Sequence, residues 1–340
     1  EPGIRLTAQI GVPGRLPLGA AEGGPMAEES PVWVVSVIGH TLDSAFSDLQ
    51  QELADVVFFG HLRTVIVSEV MARDGLEHLQ DYMRRNPQIR RTVRLAVAEG
   101  EAAKFMHTAP PLERVPALYL TRMLESATRL GKFPKMSLGR FWAYDSALGR
   151  EPFLSYLRAE KSGNIKLKGL AYFRGEKMVG VTTSRDIDNY MAVMGVPFGG
   201  YDFLSQLSDS NQPDYYTYEV TDRWATRDVT IINGRPKATV RIFIEGKLVE
   251  AGEELVTQAL IETMQKNNER LAKKNITALI KQTQKSQADI FAFGEIVRGK
   301  LPDYWNKQVG TVERWRKMYA EMPVDVRVRI TFRQIGAKDR

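Results

Sequence analysis

The sequence predicts an α+β (mixed α/β) protein built as three successive units, and three observations carry that prediction. Apolar positions alternate with a period of two in the first and last segments. Strand-like and helix-like patterns alternate from residue 32 to about residue 155. The second half switches to strands in succession, followed by one long helical pattern. With 340 residues and 43% hydrophobic content the chain can bury more than one core, which fits units at 1–155, 156–213 and 214–340.

Taken in order, "RLTAQIGV" places Leu6, Ala8, Ile10 and Val12 on one face of a strand. The Gly- and Pro-rich stretch from Pro13 to Pro31 cannot hold a ladder and reads as a long loop before a second strand, "VWVVSVIG". "TLDSAFSDLQQELAD" spaces Leu42, Phe46, Leu49 and Leu53 for a helix with Thr41 as N-cap. Then follow strand "LRTVIVS", a helix from about Glu69 to Arg84, strand "TVRLAVAEG" and helices at "EAAKFMH", "PALYLTRMLESATRL" and "SLGRFWAYDSAL". The middle unit opens with two strands around the tight turn "RGEK", then a helix and the loop "GVPFGGYDF"; "SDSNQPD" suits a linker. Three strands are expected next, "YYTYEVT", "RDVTIING" and "KATVRIFIEG". A helix from Glu253 to about Gln284 would bury Val256, Leu260, Met264, Leu271 and Leu279. In the last strand Val324, Val326, Val328, Ile330 and Phe332 face inward and Arg327, Arg329 and Arg333 outward.

Composition narrows the chemistry. No apolar run reaches the ~18 residues of a membrane span, and the first residues lack the basic and apolar regions of a secretory signal. Cysteine is absent, which excludes disulfides, thiolate nucleophiles and Cys-ligated metals. A net charge of +6 is compatible with an anionic partner and equally with ordinary solubility. Nucleotide-binding loops of the GxxxxGK[ST] and GxGxxG kinds are missing, and so are HExxH and GxSxG. His40, His61, His78 and His107 are scattered without metal-ligand spacing. Asp186 and Asp188 mimic the start of a calcium loop that lacks its Gly and terminal Glu, and read better as helix N-terminal acids. The expectation is therefore no cofactor, no metal and no catalytic residue.

Between Lys266 and Lys285 the long helix carries Lys266, Arg270, Lys273, Lys274, Lys281 and Lys285 against the single Glu269. No aromatic interleaves them, so nucleic acid is not expected. A solvated outer face is one reading, and contact with anionic lipid or an acidic partner, centred on Lys266, Arg270, Lys273 and Lys274, is the other.

"QKSQADIFAFGEIVRGKLPDYWNK" sets Asp289 and Glu295 among apolar residues. From Asp289 the apolar spacing at Ile290, Phe293 and Val297, with Gly299 and Pro302 behind, predicts a short helix capped by Asp289. Six residues on, Glu295 would point about 120° away, so the two do not form a catalytic pair. Trp305 and Trp315 can bury large apolar areas. This segment, followed by "VERWRKMYAEMPVDVRVRITFRQIG", resembles the C-terminal signature of the Ger(x)C family, the lipoprotein C subunits of spore germinant receptors. Asp289, Phe291, Phe293, Gly294, Glu295, Trp305, Trp315, Ile335 and Gly336 occupy signature positions, with Ala292 where the family commonly has Gly. "HLRTVIVSEVMARDGLEHLQDYMRRNPQIRRT" and "GLAYFRGEKMVG" look like upstream blocks, so the resemblance covers nearly the whole chain. It implies a three-domain ectodomain, each domain a β-sheet flanked by α-helices, without catalytic activity. It further implies a lipidated Cys upstream, on the outer face of the spore inner membrane, and partnership with multi-spanning A-type and transporter-like B-type subunits. A module that itself binds a small germinant is the competing expectation.

Overall fold

The computed structural model describes residues 3–12, 31–108, 115–197, 203–206, 215–251 and 257–333. Most of the Gly- and Pro-rich stretch, the "SDSNQPD" linker, Val256 and the closing residues Ile335 and Gly336 lie outside the described residues.

Strands β1 (Ile4–Gly11) and β2 (Val32–Gly39) pair antiparallel, with Leu6 opposite Val37 and Ala8 opposite Val35. Helix α1 (Leu42–Gln51) covers one face of the pair, so Val35, Val37, Ala45 and Leu49 make a small core of their own. Thr41 caps α1 as its sequence requires, accepting from Ser44 N at 3.1 Å.

A five-stranded mixed sheet forms the centre, in the order β3 (Thr64–Ser68), β4 (Arg94–Ala98), β5 (Phe153–Ala159), β6 (Ile165–Arg174), β7 (Lys177–Val181). The first three strands run parallel and the last three antiparallel. Between β3 and β4 the single helix expected over Glu69–Arg84 is two, α2 (Glu69–Asp74) and α3 (Glu77–Arg85), because Gly75 breaks the turn at φ 134°, a conformation other residues avoid. The segment Ala102–Met106 is a 3-10 turn, and α4 (Pro116–Arg129) with α5 (Leu138–Asp145) completes the crossover to β5. The boundary drawn at residue 155 falls inside β5. Phe153 to Leu157 are all buried, and the strand bonds to β4 on one side and β6 on the other, so the first and middle units share this sheet.

After β7 come α6 (Ser184–Val193) and the short β8 (Phe203–Gln206), which joins a four-stranded sheet ordered β11-β10-β9-β8. The first two of the three strands expected here are one, β9 (Tyr215–Ile232). The polar run around Arg223 looked like an interruption. The full-length ladder from β10 (Arg235–Ala251) carries the strand through it, and Arg223 is satisfied by donating Nε–H to Val196 O at 2.9 Å. Asn233 and Gly234, both at positive φ, make the two-residue hairpin loop.

The long helix is α7 (Gln258–Lys285), capped by Thr257. It buries Ile261, Met264, Ile276 and Leu279 but leaves Leu271, expected inside, 49% exposed. Next stand α8 (Phe293–Lys300), one turn α9 (Pro302–Tyr304) continued by a π-turn to Val309, α10 (Val312–Glu321) and β11 (Val324–Arg333). β11 buries Val326, Ile330 and Phe332, half-buries Val324 and Val328, and exposes Arg327, Arg329 and Arg333. One continuous hydrophobic core links the central sheet, α5 and α6 to α7, α8, α10 and the inner face of the C-terminal sheet. The fold is α+β, with three sheets flanked by helices.

Candidate functional site

The segment that precedes α8 is where the parts of the protein meet. Asp289 is 1% exposed, and its carboxylate accepts three hydrogen bonds, from Phe291 N at 3.1 Å, Gly294 N at 2.9 Å and Trp315 Nε1 at 3.0 Å. It therefore caps α8 from outside, across a left-handed Ala292 at φ 61°, rather than as the first residue of the helix. Gly299 lies inside α8, which runs to Lys300 before Pro302 starts the next turn. Burial pushes the Asp289 carboxyl up to about 6, the hydrogen bonds from Gly294 and Trp315 opposing it.

Two glycines let the segment dock. A Cβ on Gly294 would stand 2.5 Å from Gly149 Cα and 2.5 Å from Trp315 Nε1, so only glycine admits this approach. Gly149 N donates to Glu295 Oε1 at 2.8 Å and Glu295 N to Gly149 O at 3.1 Å, and the other Glu295 oxygen takes Arg298 Nη2 at 2.9 Å. Glu151 N donates to Asp289 O at 2.9 Å. The loop before β5 is thus stitched by three hydrogen bonds to the start of α8 and the residues just before it.

Sequence reasoning missed the partners of this junction. Glu151 is buried and accepts from Arg316 Nε at 2.6 Å and Gly175 N at 2.6 Å. Burial raises its carboxyl above the ordinary value, Arg316 pulling the other way. Arg227 donates to Phe291 O, and Arg150 stacks on Tyr144 at 3.5 Å while donating to Tyr190 OH at 3.1 Å. The signal was a charged "GRE" directly before an apolar strand, which a pattern search passes over as a loop. Phe291 and Phe293 are buried, tilted at 5.8 Å between centroids, and Trp305 lies 6.0 Å from Trp315. The structure brings together Asp289, Phe291, Phe293, Gly294, Glu295, Trp305 and Trp315, and leaves Lys266, Arg270, Lys273 and Lys274 exposed on α7.

A carboxylate enclosed on every side, with each oxygen already accepting, cannot be reached by a substrate from solvent. Glu295 is held by a backbone N–H and Arg298. What this arrangement can do is lock two parts of the chain in one relative position.

Two surface features stand apart from it. An open cleft of about 660 Å³ separates the β1–β2–α1 unit from α3, lined by Ile4, His40, Asp43, Phe59, Tyr82 and Gln88 among others. On the outer face of the C-terminal sheet Trp224, 43% exposed, stacks on Phe243 at 5.4 Å and 9°.

Residues 1–159 match a family model described as the spore germination protein N-terminal domain, and residues 168–336 match one described as spore germination B3/GerAC like, C-terminal. YfkR of Bacillus subtilis (strain 168) is 26% identical over 357 residues, covering 98% of this chain and 86% of the relative. Spore germination protein KC of the same organism is 22% identical over 356 residues, covering 98% and 86%, and spore germination protein GerQC of Bacillus cereus is 22% identical over 339 residues, covering 96% and 88%. The crystal structure of the GerBC protein superposes with a TM-score of 0.65 at 20% identity, over 98% of this chain and 94% of that one.

Proposed function

From the premise that the chain belongs to the GerAC family of spore germination proteins, we propose that it is a non-enzymatic C subunit of a nutrient germinant receptor. In this reading it acts as a rigid ectodomain that assembles with the multi-spanning A-type and transporter-like B-type subunits. A lipidated Cys upstream of residue 1 holds it on the outer face of the spore inner membrane. No helix among the described residues is long and apolar enough to cross a membrane.

The observation that carries the proposal is the closed Asp289–Trp315 junction. In this reading the segment from Asp289 to Trp315 locks the central sheet to the C-terminal unit, with the Asp289 carboxylate enclosed and hydrogen-bonded. The exposed Trp224–Phe243 pair supports an assembly role, since a stacked aromatic pair on an open sheet face is the kind of anchor protein interfaces use. Co-purification tests the proposal: a tagged full-length chain extracted from spore membranes should carry the A- and B-type subunits with it, and recovery of the C chain alone would refute it. The 660 Å³ cleft favours a second reading, direct binding of a small germinant there. Calorimetry of the folded chain with nutrient amino acids and sugars separates the two. Under the assembly reading these titrations stay flat, and a stoichiometric heat lost in Asp43→Asn would favour the cleft.

A further inference from the structure

The helix that bridges the core also carries a one-sided charge distribution. At about 100° per residue, Lys266, Arg270, Lys273, Lys274, Lys281 and Lys285 fall within an arc of roughly 120° on α7. Met264, Ile276, Leu279 and Thr283 lie outside that arc, around the other side of the helix, and are buried. All six cations are exposed. Among the described residues none of the six makes an ion pair. Glu269, the acid within the row's length, is turned to β11, accepting from Ile330 N at 3.0 Å and lying 3.9 Å from Arg329, and the exposed Glu262 stands one turn before its first lysine. From Lys266 to Lys285 the row is about 29 Å long at 1.5 Å per residue.

Its chemistry discriminates among anionic partners. Five of the six are lysines, hydrated point charges on flexible stems that attract a diffuse negative surface without the bidentate geometry arginine uses for a particular carboxylate or phosphate. No aromatic lies in the row, so there is nothing for a nucleic-acid base to stack on. Only Leu271 and Ala278 flank it, too little apolar surface for the buried anchors that hold a protein partner. A row of unpaired cations on one uninterrupted helix meets what a plane of phospholipid headgroups requires, contact along its length without insertion. We propose that the outer face of α7 lies against an anionic phospholipid surface and sets the orientation in which the C-terminal unit meets it.

This deepens the membrane-associated reading above, but it is tested on the unlipidated chain, so its failure leaves receptor assembly standing and a failed co-purification leaves the row untouched. The measurement is co-sedimentation with phosphatidylglycerol-containing vesicles and with pure phosphatidylcholine vesicles, at low salt and again at about 150 mM, where screening shortens to about 8 Å. Each basic residue near such a surface contributes about fivefold. Allowing for overlap between neighbours, the variant carrying Lys266→Gln, Arg270→Gln, Lys273→Gln and Lys274→Gln should lose about 30-fold or more in partitioning to anionic vesicles at low salt. A control carrying Lys135→Gln, Lys161→Gln, Lys166→Gln and Lys177→Gln removes the same charge from exposed positions elsewhere and should bind nearly as the parent does. Thermal melts of both variants check that each is folded. Equal losses in the two variants would reduce the effect to net charge and overturn the proposal. So would absence of parent binding to anionic vesicles at low salt, or row-dependent binding to soluble polyglutamate without binding to vesicles.

Discussion

Trp315→Phe isolates the hydrogen bond at the centre of the junction while keeping an aromatic ring in its place. The lost indole N–H donates to Asp289 Oδ2 at 3.0 Å, and both residues are about 1% exposed, so no water replaces it. A hydrogen bond to a charged acceptor is worth about 1.5 to 3 kcal/mol. Loss of the second ring leaves a small cavity at about 1 to 2 kcal/mol, independent of pH. The bond to the ionised carboxylate makes the total depend on pH. Asp289 has its folded pKa raised from 3.8 to about 6 by burial, so the folded state binds the extra proton. Its ionisation therefore lowers stability as pH rises from about 4 through 6, by about 3 kcal/mol at 1.36 kcal/mol per unit. Removing a donor that favours the charged form raises the folded pKa further, which enlarges that loss above pH 6 and barely changes stability below pH 4. Urea titrations should thus show Trp315→Phe destabilised by about 2 to 3 kcal/mol at pH 5 and about 1 to 2 kcal/mol more at pH 8. In the Asp289→Asn background the extra loss at high pH should vanish, because no ionised acceptor remains. An identical destabilisation at both pH values would refute the assignment of Asp289 as the buried acceptor whose charge the indole stabilises.

Four further substitutions probe the same junction. Gly294→Ala puts a methyl into the 2.5 Å approach to Gly149 and should cost about 1 to 3 kcal/mol in a thermal or urea melt, with Gly149→Ala adding less than its own separate cost because the two share one contact. Arg316→Met leaves the buried Glu151 without its counter-ion and should cost about 3 to 5 kcal/mol at pH 7, recovered in part by Glu151→Gln in the same chain. Trp305→Ala, at 3% exposure, should cost about 3 to 5 kcal/mol of a total near 5 to 15 and impair germination with folding. By contrast Glu295→Gln keeps an acceptor for Gly149 N, loses only a partly exposed pair with Arg298, and should change the melt by less than about 1 kcal/mol while germination persists. Abolished germination with an unaltered melt would make Glu295 a working residue and the junction more than structural.

How much of this was legible beforehand depended on whether local pattern or distant contact decided each feature. β11 could be read residue by residue because strict alternation of valines with arginines has only one way to lie on a half-buried sheet. Thr41 announced its helix because a cap acts within three residues of itself. The helical angle drawn between Asp289 and Glu295 does not apply, because Asp289 lies outside α8 across a left-handed Ala292; different hydrogen-bond partners keep the two apart instead. The continuity of β9 was not legible, because a ladder supplied by β10 from up to 35 residues away overrides the polar run at Arg223. Nor was the membership of β5, whose neighbours β4 and β6 come from both sides of the boundary that local composition drew. The junction shows the division most plainly. Sequence singled out Asp289, Gly294 and Trp315 but not Gly149, Glu151 or Arg316, which lie more than 130 residues before Asp289 or nearly 30 beyond it and join the junction only in the folded chain. Whether a carboxylate is an enclosed cap or an open catalytic group is fixed by burial and by donors brought from elsewhere, and those are properties of the tertiary structure.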